Sequence, residues 1–306
     1  MSSSRAELRP PRDEDFDAML ALMNESQLAA FGEADVTADE LRTWLTTPYV
    51  VPERDIRVLE EDGRLIGYVD ADYAEATSLW WSDIKLARNA DADAVLAVLV
   101  EWLEERTDHG LLRVWTAAGD ARTVDAFRRL GFEERRHSYR MEIGLGGDAR
   151  KPAWPEGIAV REYAPADERL VYETNVEVWE DASDQIEDTF EDWRHWTTAR
   201  DGFDPSLWFL AFDGAELAGF SLCRRHDTDP RAGYVATLGV RRPWRRRGLG
   251  EALLLHSFAA FRARGYTRAT LGVDASSPTG ATRLYERAGM TVYRDTVFLE
   301  RPAGRG

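Results

Sequence analysis

Cysteine is almost absent from this chain. Cys223 is the only one among 306 residues, which excludes an intrachain disulfide and any cysteine-built zinc site. Lysine is nearly as scarce. Lys85 and Lys151 stand alone among 39 cations, a usage that matches a GC-rich genome and leaves no lysine amid the motifs described below for Schiff-base chemistry. Long apolar runs are missing too. The longest, Ala94 to Val100, falls far short of the roughly 18 residues of a membrane span, and Met1 to Phe16 lack the apolar core of a signal peptide. Positive charge is in deficit, 39 Lys+Arg against 55 Asp+Glu for a formal charge of −16, so a phosphate backbone is a poor partner. The expectation is a cytoplasmic protein with neither a membrane nor a nucleic acid as partner.

What is present is globular in composition, with 44% hydrophobic and 31% charged residues. At about 150 residues per domain the length suggests two domains. Residues 146–157, rich in Gly and Pro, lie near the midpoint and read as a linker, dividing residues 1–145 from 158–306. The halves repeat at several points. Val58 to Val69 and Phe209 to Phe220 are both apolar runs broken by Asp-Gly, a strong hairpin signal. Ala126 to Phe132 and Leu284 to Met290 share the pattern that ends in Gly131 and Gly289. Between these anchors each half carries one long helical pattern, Ala90 to Arg106 and Leu249 to Arg264, flanked by short apolar strands. A strand–helix–strand unit of this kind closes with a right-handed crossover. The fold class is α/β, as two copies of one domain.

The most informative segment joins Leu238-Gly239-Val240 to the second long helix. Five arginines (241, 242, 245, 246 and 247) precede Gly248-Leu249-Gly250. Glycine lets backbone approach a ligand, and the free amides at a helix N-terminus attract anions. Arginine adds permanently charged planar donors for phosphate. A strand before and a helix after this loop make it a pyrophosphate cradle; the competing reading is a basic turn with ordinary capping glycines. The spacing excludes a Gly-x-Gly-x-x-Gly dinucleotide site, and a Walker loop is missing its Gly-Lys-Ser/Thr.

Arg245-Arg246-Arg247-Gly248-Leu249-Gly250 resembles the acyl-CoA signature of the GNAT superfamily of N-acetyltransferases, Gln/Arg-x-x-Gly-x-Gly/Ala. The run Leu271 to Met290 resembles that family's second motif, so the specific match covers residues 234–298. The tandem arrangement is similar to that of mycothiol synthase-like double-domain acetyltransferases. The resemblance implies two GNAT-like domains forming a pseudo-dimer, each a mixed α+β sheet that splays open after its fourth strand. It implies acetyl-CoA as donor and a small-molecule amine as acceptor. Leu238, Gly239 and Val240 would pair with the pantetheine amides, and Arg245, Arg246, Arg247, Gly248, Leu249 and Gly250 would hold the pyrophosphate. Tyr285 stands where relatives place the phenol that protonates the leaving thiolate; its other reading is a core aromatic. Ser277 stands where Asn is common, and with Pro278 it reads first as a helix cap and second as a cofactor contact. Tyr234 occupies the place where several relatives carry a Glu base, so the proton acceptor is a base reached through water, or the amine arrives deprotonated.

The first half has no such machinery. Its loop, Ile84 to Asp93, contains no glycine and puts acids at the helix start, and Phe127 stands where Tyr285 does. This half is expected to keep the fold without acyl-CoA chemistry. Charge is unevenly shared: residues 1–150 hold 18 Lys+Arg against 31 Asp+Glu. The second half has its own acidic block, with no cation between Arg169 and Arg194. Trp179, Asp181 and Asp184 within it are candidate contacts for a cationic amine; a solvated helix face is the alternative. The five histidines show no metal-ligand spacing, so no metal is expected. The leading reading is an N-acetyltransferase acting as monomer or homodimer. A non-catalytic acyl-CoA-binding or scaffolding protein is the alternative, and a transferase drawing on aminoacyl-tRNA is disfavoured by the charge.

Overall fold

A computed structural model describes residues 6–34, 36–47, 49–147, 150–180, 189–200, 202–277 and 280–304. The chain forms two compact units, Met1–Ser138 with Arg294–Gly306, and Tyr139–Tyr293. The units do not divide at the glycine-rich stretch expected to link them. Residues 150–157 belong to the second unit, where the Arg150 guanidinium donates to the Arg287 carbonyl at 2.6 Å and Trp154 stacks edgewise on His256. No helix among the described residues is long and apolar enough to cross a membrane.

The first unit contains strands β1 (Glu7–Arg9), β2 (Ile56–Glu61), β3 (Arg64–Asp70), β4 (Asp72–Ala74), β5 (Leu79–Ser82), β6 (Ile84–Leu86) and β7 (Leu111–Ala117). Its helices are α1 (Phe16–Phe31), α2 (Ala38–Leu45), α3 (Pro52–Asp55), α4 (Ala92–Arg106) and α5 (Ala121–Arg129). The β2–β3 hairpin turns on Asp62 and Gly63, both at positive φ (50° and 78°), the turn that the Asp-Gly pair favours. The apolar stripe read along α4 is buried: Val95, Leu96, Leu99, Val100 and Leu103 pack on β3 and β7 residues such as Val69 and Leu112.

The short apolar strand expected before the first long helix is broken at Asp83 into β5 and β6. The cause is a buried polar knot. Asp70 accepts from the Asp83 amide at 2.7 Å and from the Tyr68 hydroxyl at 3.0 Å, and Tyr68 accepts from the Trp44 indole at 3.1 Å. Burial first, and the Asp83 carboxylate second, push the Asp70 carboxyl well above its usual range, against a weaker pull from Lys85. Folded protein therefore holds a proton that the unfolded chain releases near pH 4. The contribution of Asp70 to stability is greatest below that pH and falls as pH rises to neutrality and beyond. Asp70→Asn mimics the protonated acid, accepting from Asp83 and donating to Tyr68. Relative to wild type it is expected to raise Tm at pH 9 by about 5 °C and to leave it little changed at pH 5; thermal melts at the two pH values check this.

Strand β8 (Glu133–Gly144) runs out of the first unit at Ser138, and its remainder opens the second. There follow β9 (Ile158–Glu162), α6 (Glu168–Trp179), α7 (Phe190–Trp196), β10 (Trp208–Asp213), β11 (Glu216–Arg225), β12 (Ala232–Val240), α8 (Leu249–Ala263), β13 (Arg268–Asp274), α9 (Ala281–Arg287) and β14 (Thr291–Pro302). The second unit's strand order is β8–β13–β12–β11–β10–β9, with β12 and β13 parallel and the β9–β12 ladder antiparallel. This is the mixed sheet expected. From Arg294 onward β14 returns to the first unit, pairing with β7 from Thr296↔Ala117 to Pro302↔Leu111. The core of the second unit lies under α8, where Leu253, Leu254, Phe258 and Phe261 are almost wholly buried. Gly233 is required there, because a Cβ would sit 2.4 Å from the Phe261 ring.

Candidate active site

The second sheet opens at β12. Its parallel register with β13 runs from Ala232↔Arg268 to Val235↔Leu271 and goes no further. On its other side the register with β11 continues, past an irregularity at Leu222/Cys223, to Val240↔Gly219. The bond from the Arg241 amide to the Ala218 carbonyl (3.0 Å) sets the phase of that ladder. Gly239 turns its N–H and C=O to β11, and Leu238 and Val240 turn theirs to the open side. Arg245 Nε takes the Val240 carbonyl at 2.9 Å. The remaining groups, the Leu238 N–H and C=O and the Val240 N–H, form an edge unpaired among the described residues, to which an extended amide chain can add. Gly239 contributes space rather than bonds, since a Cβ there would lie 2.7 Å from the Phe220 ring.

Beyond β12 the arginine loop is pinned from within the unit. Trp244 is buried and its indole donates to Asp213 at 2.8 Å; Arg241 meets Glu177 at 2.8 Å, and Arg242 lies 3.5 Å from Glu180. Arg246 and Gly248 both take left-handed backbone, at φ 61° and 86°. Such a conformation costs a non-glycine residue about 1 kcal/mol and tends to collect at functional sites. Gly248 is the N-cap of α8 and brings no capping side chain, so among the described residues the first-turn amides beginning at Leu249 have no side-chain cap. Leu249 buries its side chain in the core, offering only its amide. Arg246 and Arg247 are exposed and make no ion pair among the described residues. Uncapped amides and the positive end of a 15-residue helix thus follow directly on two exposed arginines of the loop.

The corresponding place in the first unit is already filled. Asp91 is the N-cap of α4, and its carboxylate accepts from the Asp93 and Ala94 amides at 3.0 and 3.3 Å. Lys85 pairs across the strands with Tyr68 as Gly239 pairs with Phe220. Its ammonium sits 3.7 Å above the Trp115 ring and 2.7 Å from Asp83. Phe127, in the helix that corresponds to α9, is buried and offers no proton.

Tyr285 projects from α9 and is 8% exposed. None of the described residues hydrogen-bonds its hydroxyl. Burial, with a smaller contribution from Tyr234, pushes its pKa up to about 12, so it is a protonated phenol at any ordinary working pH. Tyr234 lies at the crotch of the opening sheet. Its hydroxyl comes within 3.4 Å of the point a Gly272 Cβ would occupy, one residue past the last paired residue of β13, and accepts from Arg140 Nη1 at 2.7 Å.

Two expectations change. Ser277 is not the cap of the following helix: α9 begins at Ala281 with Gly280 as its left-handed N-cap (φ 71°), and Ser277 instead donates its amide to the Asp274 carbonyl. The acidic block is largely spoken for among its described members. Glu177 pairs with Arg241, Glu173 with Arg169 and Glu191 with Arg194, and Asp192 caps α7 through Thr189. Trp179 is 49% exposed at the end of α6, with its indole donating to Asn175; Asp181 and Asp184 lie outside the described residues. Arg140 and Gly272 were not singled out by sequence reasoning. Arg140 sits in the half that lacks the motifs, and nothing in its neighbourhood along the chain marks it. Among the described residues no group of three or more His, Cys, Asp or Glu could hold a metal.

Residues 168–290 match the Acetyltransferase (GNAT) family. The mycothiol acetyltransferase of Geodermatophilus obscurus is 32% identical over 245 residues, covering 78% of this chain and 79% of that one. The mycothiol acetyltransferase of Acidothermus cellulolyticus is 29% identical, covering 79% and 77%. Among solved structures, a GCN5-related N-acetyltransferase from Sphaerobacter thermophilus superposes with a TM-score of 0.81 at 28% identity, over 98% of this chain and 96% of that one. A tandem GNAT protein from the clavulanic acid biosynthesis pathway shares the fold, with a TM-score of 0.76 at 16% identity over 99% and 100% of the two chains.

Proposed function

The chain belongs to the GNAT family of acetyltransferases, and from that premise we propose that its second unit alone binds acetyl-CoA and passes the acetyl group to the primary amine of a small molecule. The observation that carries this reading is the uncapped start of α8 beside the unpaired edge of β12. The donor supplies an activated thioester. The first-turn amides of α8, with Arg246 and Arg247, fit its diphosphate, and the Leu238 and Val240 edge groups fit its pantetheine amides. Tyr285 then faces the thioester as a protonated acid and gives its proton to the departing sulfur. In the first unit, Asp91 occupies the helix start and the Lys85 ammonium lies over the Trp115 ring, so that unit is assigned no donor site. Exposed Trp179 supplies an apolar wall for the acceptor. A cytoplasmic location is part of the same reading, since that is where acetyl-CoA is made available.

The test is thiol release from acetyl-CoA with a panel of primary amines, glucosamine among them. At least one amine is expected to raise thiol release by about 100-fold or more over buffer. Tight binding of acetyl-CoA with no amine accelerated would instead mark a non-catalytic binder.

A further inference from the structure

The crotch of the sheet carries arginines where a general base would be useful. Tyr234 Oη accepts from Arg140 Nη1 at 2.7 Å, and the Arg224 guanidinium lies 4.5 Å from the Tyr234 ring centroid. From β13, Arg268 approaches the same end of the sheet, paired with Glu142 and Asp229 at 2.9 Å each. Asp227 is shared between Arg200 and Arg224. His226 stacks edgewise 6.1 Å from the Tyr234 ring. From α9 the facing group is Tyr285, a neutral phenol. No carboxylate touches the Tyr234 hydroxyl among the described residues. Burial pushes the His226 imidazole pKa down and Asp227 pushes it up, while Arg268, Arg224 and Arg140 each add a smaller downward push.

Resting on the proposed function, we infer that Tyr234 and Arg140 position the acceptor and select it as a free base. Tyr234 Oη accepts a hydrogen bond from the amine N–H, turning the nitrogen lone pair toward the thioester, and the positive field around Arg140 expels the ammonium form. Arg140 acts through Tyr234 and is a positioning residue. The proton balance closes without an enzymic carboxylate. The ammonium loses one proton to solvent on binding, the N–C bond forms as the C–S bond breaks, and Tyr285 protonates sulfur. The nitrogen's surplus proton then restores Tyr285 by way of solvent. A field of this kind lowers an amine's pKa by only a modest amount, so the favoured acceptors are amines already acidic enough to be partly neutral near pH 7. Amino sugars and amines next to a carbonyl qualify; simple alkylamines, which stay charged to about pH 10, do not.

The test uses the full chain with glucosamine and hexylamine as acceptors. In wild type, kcat with glucosamine should rise with pH along a limb lying below the pKa of free glucosamine, and kcat/KM for glucosamine should exceed that for hexylamine by about 10-fold or more at pH 7. Arg140→Gln should move that limb upward by roughly one pH unit, Arg140→Lys should hold it in place, and Tyr234→Phe should lower kcat about 10-fold. A second readout needs no turnover. The 15N shift of labelled glucosamine in the complex with free CoA should titrate about 10-fold more readily than in water, and no more readily once Arg140 is Gln. Coinciding wild-type and Arg140→Gln profiles, or a bound amine no more acidic than the free one, overturn the inference. If acetyl-CoA still binds and Tyr285 is still required, that result leaves the proposed function intact. No turnover of glucosamine up to pH 9, while a simple alkylamine is acetylated, overturns the inference and leaves the proposed function standing.

Discussion

Gly250→Asp should abolish useful binding of acetyl-CoA, weakening it at least about 100-fold by calorimetry, or roughly 2.7 kcal/mol. The substitution places a carboxylate in the first turn of α8, among the amides proposed to receive the diphosphate, so it competes for the same donors and repels the same charge. The fold should survive. A Cβ at Gly250 meets Leu284 Cδ1 at 3.1 Å and Val240 Cγ2 at 3.6 Å, contacts that a shift of a few tenths of an ångström relieves. An acid in the first turn of a helix is itself stabilising by about 0.3–1 kcal/mol. Binding and stability therefore move in opposite directions, a pattern general unfolding cannot produce. Gly250→Ala separates charge from size and should keep affinity within about 5-fold of wild type. Undiminished heat with the Asp variant would show that the diphosphate binds elsewhere. The protein carries its own precedent for an acid at this position, because Asp93 is the second residue of α4 as Gly250 is of α8.

The parts of this site that could be read in the sequence are those whose chemistry is local. The arginine-and-glycine loop announces itself because every residue needed to leave a helix start uncapped lies within ten positions of the next. The apolar stripes of α4 and α8 are legible for the same reason, as a period of 3.6 needs no distant partner. What stayed hidden depends on contacts between remote segments. Arg140 reaches Tyr234 from 94 positions away, and neither residue marks the other in the sequence. The return of β14 to the first unit is invisible because its partner β7 lies far back in the sequence. The acidic block shows the converse failure. Its carboxylates are dense along the chain, yet Arg241 arrives from the donor loop to pair with Glu177, so local charge overstates the charge left free. At Ser277 the preference of Ser and Pro for a helix start was real but lost to Gly280, which reaches the left-handed conformation the chain requires there.

Tyr285→Phe should reduce kcat by about 100- to 1,000-fold while leaving the affinity for acetyl-CoA within about 2-fold. The asymmetry follows from what the hydroxyl touches. It has no hydrogen-bond partner among the described residues, so deleting it breaks no bond in the resting protein, and the ring stays in the pocket that buries it under α8. The residue keeps 8% exposure and its hydroxyl has no protein partner to lose among the described residues, so Tm should stay within about 2 °C of wild type. Selection of such a group for stability alone would favour Phe, which the first unit has at Phe127. The retained oxygen is explained by a demand that arises only when sulfur departs with negative charge. With its pKa near 12, Tyr285 also predicts no fall in wild-type rate from loss of its proton before strongly alkaline pH. A Phe variant with full kcat would transfer the acid role to solvent. If the donor were changed to one whose thiol leaves more readily, the wild-type advantage over Phe should shrink, because a better leaving group needs its proton less. That convergence would be absent if Tyr285 merely shaped the pocket.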